Sequence, residues 1–363
     1  MKHLEHPTLK NAIPLALAVL SGSTFAQTSS ITIFGTADAS VRWADTDRVG
    51  SEASLASGGY SSSRFGVRGS EDLGGGLSAS FWLESFLGLD TGAQSPAGWQ
   101  RRSTLSLTDQ TWGELRLGRD YTPTHANWAR FDPFGYVGIG ANQLLILSAA
   151  GQTPVTAAFG TAPNDIQRAN NGVQYILPRN DWNVEGNLLR TLGEGGTAAT
   201  DQHRAVGGRL GVTVGGLLVS AAMLQTRNNL TGSSSFKDSA LAAMYTAPAV
   251  KFSAAVRRLE YQAAKQTNYL VGAVVPLGAQ DLKVSWNRAQ YHGAVGATDI
   301  SNNRADQFAV GYVYHLSKRT HLYSTAATLR NQGNSRFVIP GAPAATAGGI
   351  GSKGFETGIN HDF

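Results

Sequence analysis

The chain has 363 residues, 43 of them glycine and none cysteine, with 15% charged residues and a formal net charge of +5. Beyond a short leader, no apolar run approaches the roughly 20 residues that a membrane helix needs, so any membrane-spanning role falls to strands. Lysine and arginine are spread along the chain without a basic, aromatic-interleaved helix, which argues against nucleic acid as a partner.

Residues 1–26 read as a signal peptide. Lys2 and Lys10 give a basic start, residues 12–20 an apolar core too short to span a bilayer, and Thr24-Phe25-Ala26 a small-residue cleavage site. Export through an oxidising compartment agrees with the lack of cysteine. Residues 27–363 are then expected to form a single domain. From its start, side chains alternate with the period of a strand. Ile31, Ile33, Gly35, Ala37, Ala39, Val41 and Trp43 share one face; Thr32, Thr36, Asp38, Ser40 and Arg42 share the other, with Phe34 the exception. Similar strands follow at 61–71, 77–87, 99–108 and 114–119, with tight turns at 72–76 and 109–113.

The rhythm stops over residues 120–167. A loop of that length inside a compact chain is a functional element or a disordered one, and Trp128, Phe131, Phe134 and Tyr136 need a surface to pack on. Strands resume at 168–177, 182–192, 203–214, 217–227, 238–246, 250–262, 267–276, 281–291, 306–316, 320–330 and 353–363. Short connectors (178–181, 215–216, 248–249, 277–280, 317–319) alternate with longer polar ones (193–201, 228–237, 292–304, 331–352). The expected fold is all-β, a transmembrane antiparallel barrel of sixteen strands with both termini at the same end. The last strand supports it: Phe355, Thr357, Ile359, His361 and Phe363 share a face, and the chain ends on an aromatic suited to an interfacial girdle.

Several segments resemble one family. Ser30-Ile31-Thr32-Ile33-Phe34-Gly35, the string from Ser63-Arg64-Phe65-Gly66 through Glu71-Asp72-Leu73-Gly74-Gly75-Gly76-Leu77, and Phe81-Trp82-Leu83-Glu84 are similar to the trimeric general porins of Gram-negative outer membranes. Arg101-Arg102-Ser103-Thr104-Leu105, Leu117-Gly118-Arg119-Asp120 and the terminal Asn360-His361-Asp362-Phe363 extend the resemblance, most of all to the anion-selective β-proteobacterial branch. The resemblance implies a homotrimer in the outer membrane whose third external loop, here 120–167, folds into the pore and narrows it. It implies passive diffusion of small hydrophilic solutes, with lipopolysaccharide and outer-membrane lipids around the barrel and Phe363 recognised by the assembly machinery. The Pro-Glu-Phe-Gly-Gly motif of enterobacterial porins is missing, and residues 127–135 (NWARFDPFG) stand in its place.

Strand parity turns Arg42, Arg64, Arg68, Arg102, Arg116 and Arg168 inward together with Asp38 and Glu84, and the resemblance puts Arg64, Arg102 and Arg168 at the constriction. In the loop, Arg130 and His125 stand against only Asp132 and Asp165, which favours small anionic solutes. One charge about 10 Å from an anion in water contributes roughly 0.4 kcal/mol, so three give about 1.2 kcal/mol, near eightfold in occupancy before screening. The histidines are scattered without metal-ligand spacing, no Ser/His/acid set stands at a recognisable spacing, and neither a cofactor nor a metal nor an enzymatic activity is expected.

Overall fold

A computed structural model describes residues 29–94, 98–147, 151–160, 166–193 and 204–363. The signal-peptide reading of residues 1–26 lies outside the described residues. The alternating segments pair into one antiparallel sheet. Its first part is β1 (Ser29–Thr46), β2 (Gly50–Ser57), β3 (Arg64–Gly74), β4 (Leu77–Phe86), β5 (Arg102–Asp109) and β6 (Gly113–Tyr121). Three short helices follow, α1 (Pro123–Phe131), α2 (Leu144–Leu147) and α3 (Pro154–Phe159). Next come β7 (Arg168–Ile176), β8 (Val184–Thr191), β9 (Arg204–Val214), β10 (Leu217–Arg227), β11 (Phe236–Ala247), β12 (Val250–Tyr261), β13 (Ala264–Pro276) and β14 (Gln280–His292). A small hairpin, β15 (Ala294–Val295) with β16 (Thr298–Asp299), precedes β17 (Arg304–His315), β18 (Thr320–Gln332) and β19 (Ser352–Asp362).

Each wall strand pairs with its neighbour, and β19 pairs with β1 from Thr36↔Asp362 to Thr46↔Ser352, closing the barrel. Phe363 completes the seam: Gly35 N donates to Phe363 O at 3.0 Å, and Phe363 N donates to Gly35 O at 3.1 Å. Sixteen positions run round the wall, because β2 and β3 share one place beside β1. The upper half of β1 pairs with β2 and its lower half with β3. Strand β2 is not legible in the alternation of the sequence, since it is the return arm of a hairpin at the rim and ends where the chain leaves the wall at residues 58–63. A second difference is at the long-loop end of β12 and β13, where two residues, Gln262 and Ala263, suffice in place of a longer connector. Gln262 takes the left-handed conformation (φ 53°) that so tight a turn requires.

The wall has two chemically distinct faces. On β10, Leu217, Val219 and Met223 are exposed to the outside while Leu218, Ser220, Ala222, Leu224 and Thr226 are buried. The buried face is inward, and the segment from α1 to α3 packs on it: Trp128, Phe131, Val155 and Phe159 join Leu218, Phe236, Ala240, Leu259 and Leu270 in one core. Here the barrel gains the buried apolar area that its water-facing lumen would otherwise lack.

Two wall glycines make room for this segment. A Cβ at Gly272 would stand 2.3 Å from Pro133 Cγ and 3.0 Å from Val284 O, and one at Gly311 would stand 2.6 Å from Phe134 Cε1. Gly272→Val therefore drives the segment off the wall, an overpacking effect of about 1–3 kcal/mol. The expected result is faster proteolytic nicking within residues 120–167 in a barrel that still closes; a nicking rate equal to the native one refutes the packing role of Gly272.

Candidate functional site

The long segment begins by capping its own helix. Thr122 accepts a hydrogen bond from His125 N at 3.3 Å and Pro123 opens α1, so the first turn is set by local sequence. One face of α1 then meets the inner wall. Thr124 Oγ1 donates to Asp238 Oδ2 at 2.6 Å, and Asp238 also holds Arg257 through two bonds of 2.9 and 2.7 Å, both side chains being fully buried. Ser220 bonds Asn127. Further along, Gln266 donates to Leu145 O at 2.7 Å, Gln307 to Ile139 O at 2.8 Å, and Ile139 N to Glu356 Oε1 at 3.0 Å. Asn228 reaches Ala158 O at 2.8 Å. The segment is thus pinned to β10 through β19 and leaves the inner faces of β3 to β7 uncovered.

Those uncovered strands carry the arginines. Between them and α1 lies a space of about 450 Å³, bounded by Ser62, Arg101, Tyr121 and Arg168 on the wall side and by Ala129 and Arg130 on the helix. Arg168 Nε donates to Arg101 O at 2.8 Å and its Nη2 to Tyr121 Oη at 2.8 Å, with the guanidinium 4.4 Å from the Tyr121 ring centre. Arg101 meets the same hydroxyl at 3.3 Å and pairs with Glu84 at 2.6 Å. Arg119 donates to Asn170 Oδ1 at 2.5 Å beside them. Two guanidiniums on one tyrosine make a rigid cationic patch, Arg168 held by neutral oxygen atoms and Arg101 by the Tyr121 hydroxyl and the carboxylate of Glu84.

The other residues read from parity fall into distinct environments. Arg64 faces inward and donates to Ser61 Oγ and Ser62 O at 3.3 and 3.4 Å. Arg68 is exposed to the lumen and lies 5.2 and 5.0 Å from the Phe34 and Trp82 ring centres; Arg102 lies 4.6 Å from the Trp82 ring centre. This stack accounts for Phe34, the exception to the alternation of β1: its ring lies against Trp82 on the inner wall, 4.7 Å between centres. Arg102 also approaches Asp120 at 3.5 Å, and Arg116 binds both Glu114 and Asp120 at 2.7 Å, so this second group is largely charge-compensated.

Three of the residues read from the sequence are taken up by the packing. Asp38 is fully buried and does not line the lumen. It accepts from Gly59 N, Tyr60 N, Ser61 N, Tyr323 Oη and Asn360 Nδ2 at 2.6–3.2 Å, and so holds the turn that presents Tyr60, Ser61 and Arg64. Arg42 is buried in a 2.8 Å ion pair with Glu356, which in turn pins Ile139, making it an anchor of the long segment rather than a free charge. Asp132 is buried too, accepting from Phe134 N and Asn142 N at 2.9 and 3.2 Å; burial pushes its carboxyl up to about 6. Arg130, by contrast, is exposed on α1 and pairs with Glu185. Burial holds the His125 imidazole well below its usual range, so it adds no charge to the space. Asp165 lies outside the described residues.

Sequence reading missed Arg101, Arg119, Tyr121 and Lys283. Parity assigned Arg102, yet Arg101 lies just before β5 begins, in backbone to which strict alternation does not apply. A register shift between Gly118 and Asp120, with Asn171 at φ 50°, re-aims β6 and β7 and brings Arg119 and Arg168 together. Lys283 reaches across from β14, its Nζ 4.6 Å from the Tyr60 ring centre.

Comparison with known proteins agrees with the geometry. A family model described as Gram-negative porin matches residues 14–334. The chain is 35% identical to outer membrane porin protein 32 of Delftia acidovorans, over 98% of this chain and 99% of that one. Among solved structures, an anion-selective porin from Comamonas acidovorans is 31% identical, covers 93% of this chain and 100% of its own, and superposes with a TM-score of 0.79. The trimer form of OmpT from Vibrio cholerae is 12% identical over 92% of this chain and 99% of its own, with a TM-score of 0.62, and shares the fold.

Proposed function

This chain belongs to the Gram-negative porins, and from that premise we propose that it is an outer-membrane diffusion channel for small hydrophilic solutes with a preference for anions. The observation that carries this reading is the one-sided arrangement of the lumen. The long segment is bonded to the wall from β10 to β19, and the wall facing it carries Arg64, Arg101 and Arg168, with Glu84 paired to Arg101. The segment 120–167 is the constricting loop in this reading, and its Asp132 is buried and backbone-bonded. An entering anion meets fixed guanidiniums at the narrowest section, where low-dielectric walls focus their field.

Arg102, Arg116, Arg68 and Arg42 are assigned lesser parts. Arg68 adds a lumen charge that holds no ion pair among the described residues, Arg102 and Arg116 are balanced by Asp120 and Glu114, and Arg42 acts on the loop through Glu356. The relatives are channels, and no catalytic step is assigned to this chain. A homotrimer set among outer-membrane lipids and lipopolysaccharide is part of the same reading, as is recognition of the terminal Phe363 by the barrel-assembly machinery. The trimer form of the Vibrio cholerae relative and the exposed ring of Phe363 at the seam support both. Reconstituted into planar bilayers, the protein gives discrete, ohmic conductance steps. Barrels that insert without such steps overturn the channel reading.

A further inference from the structure

Three titratable side chains meet on the inner wall at the short-connector end of β14, β17 and β18, strands that carry none of the patch arginines. His315 ends β17, His321 is the second residue of β18, and the connector 316–319 sets them directly opposite one another. Both turn inward: Tyr314 and Leu322 beside them are exposed on the outer wall, while Val313 and Tyr323, of their own parity, are buried. Their Nδ1 atoms are 2.8 Å apart, and His315 Nε2 lies 2.9 Å from Asp281 Oδ2 on β14. The two histidines are six residues apart in sequence, a spacing that matches no metal-ligand motif, and it is the hairpin that brings the rings together.

Each ring is held in place. An ionised carboxylate only accepts, so His315 gives its Nε2–H to Asp281 and, as a neutral ring, keeps a bare lone pair on Nδ1. A carboxylate behind a histidine fixes its tautomer and raises the basicity of the far nitrogen, as it does behind histidines that bind metals. His321 is nearly buried and packs on Tyr60, 5.3 Å between ring centres. Tyr60 lies in turn against Tyr323 at 5.8 Å, and its amide donates to Asp38 Oδ2 at 3.1 Å. The two imidazoles stand at 89°, with the Nδ1 of one facing that of the other. Asp362, on β19, faces the same lumen and accepts from Thr36 Oγ1 at 2.6 Å. The carboxylates of Asp281 and Asp362 offset the ammonium of Lys283, whose Nζ is 4.6 Å from the Tyr60 ring centre.

We propose that His315 and His321 are the ligands of a divalent transition-metal ion of the Cu²⁺ or Zn²⁺ class at this end of the lumen, with Asp281 orienting His315. Imidazole nitrogen suits these ions, whereas Mg²⁺ and Ca²⁺ take oxygen. Metal–nitrogen bonds of about 2.0–2.1 Å in a tetrahedral arrangement set two ligand nitrogens about 3.3 Å apart. A small opening of the 2.8 Å contact therefore admits the ion. Without metal, His321 donates its Nδ1–H to His315 Nδ1. On binding, that proton passes through water to His321 Nε2, both Nδ1 lone pairs turn to the ion, and water fills the remaining positions. The site is separate from the arginine patch, and its test does not depend on whether the pore conducts.

The test is calorimetric titration of the untagged, detergent-purified protein with Cu²⁺, Zn²⁺ and Mg²⁺, joined to electron paramagnetic resonance of the Cu²⁺ form. The native chain binds Cu²⁺ more tightly than Zn²⁺ and leaves Mg²⁺ unbound at the same concentrations, and nitrogen hyperfine structure from two imidazoles marks the Cu²⁺ spectrum. His315→Ala with His321→Ala removes this binding. Asp281→Asn keeps both ligands and weakens it about 10–100-fold. His361→Ala is the control: that ring is exposed on the outer wall beside Thr320, and the variant binds as the native chain does. Heat-modifiable migration on gels establishes that each variant barrel is closed. Undiminished Cu²⁺ binding by the double alanine variant overturns the proposal, as do Mg²⁺ binding equal to that of Cu²⁺, native affinity in Asp281→Asn, and a native chain that binds no Cu²⁺.

Discussion

Replacing Arg101 and Arg168 together by glutamine lowers the anion preference of the channel while leaving its barrel and its conductance steps in place. Each guanidinium at about 10 Å from a passing anion contributes roughly 0.4 kcal/mol in water, so the pair removes about 0.8 kcal/mol, about fourfold in anion occupancy. Screening shrinks the difference as salt is raised, because the Debye length falls from about 30 Å at 0.01 M to about 10 Å at 0.1 M. The two are chosen together because they share Tyr121 and a backbone contact, so removing one leaves the other free to move into its place. Arg258→Gln, exposed on the outer wall beside Glu260, is the matched control and leaves selectivity at the native value. Zero-current potentials of the three proteins under the same salt gradient decide the matter. A double variant as anion-selective as the native channel removes Arg101 and Arg168 from the selectivity filter.

Asp238→Ala has a larger effect on structure. Asp238 and Arg257 are both fully buried between the wall and α1, and Asp238 is also the acceptor for Thr124. Removing the carboxylate leaves a guanidinium buried without its partner, a loss of about 3–5 kcal/mol. The wall strands keep their ladder of hydrogen bonds, so the loss falls on the attachment of α1. The loop loosens, single-channel conductance rises, and anion preference declines because the solute path now extends away from the arginine wall. Asp238→Leu with Arg257→Met, which replaces the pair by apolar groups of similar bulk, recovers much of the attachment. Native conductance and native loop proteolysis in Asp238→Ala contradict this anchoring role.

The barrel was readable from the sequence because each wall strand meets hydrocarbon on one side and water or the loop on the other. That condition writes a period of two into the chain and an alternation of short and long connectors. The arginine wall was partly readable for the same reason. Arg64, Arg68, Arg102 and Arg116 face inward as their parity requires. What parity does not carry is what each side chain meets once the chain closes. Asp38 has the right parity yet is consumed by three backbone amides of the turn at 58–63, and Arg42 by Glu356. The patch around Tyr121 depends on a register shift near Gly118 and on Arg101, which precedes the strand proper. Phe34 was visible only as a break in a pattern. Its meaning came from Trp82 and Arg68, both distant in sequence and adjacent across the sheet.

Proteins that share this fold at low identity need not share its selectivity, since the wall fixes where side chains stand and the side chains fix the charge. In the proposed reading, the loop, with Asp132 buried, and the cationic wall opposite it make a constriction with fixed positive charge on one side. The most direct test is the zero-current potential of the native channel across a planar bilayer under a salt gradient, taken at low and at high mean concentration. An anion-selective sign that weakens as the mean salt rises is the predicted result, and a cation-selective sign at low salt would contradict it.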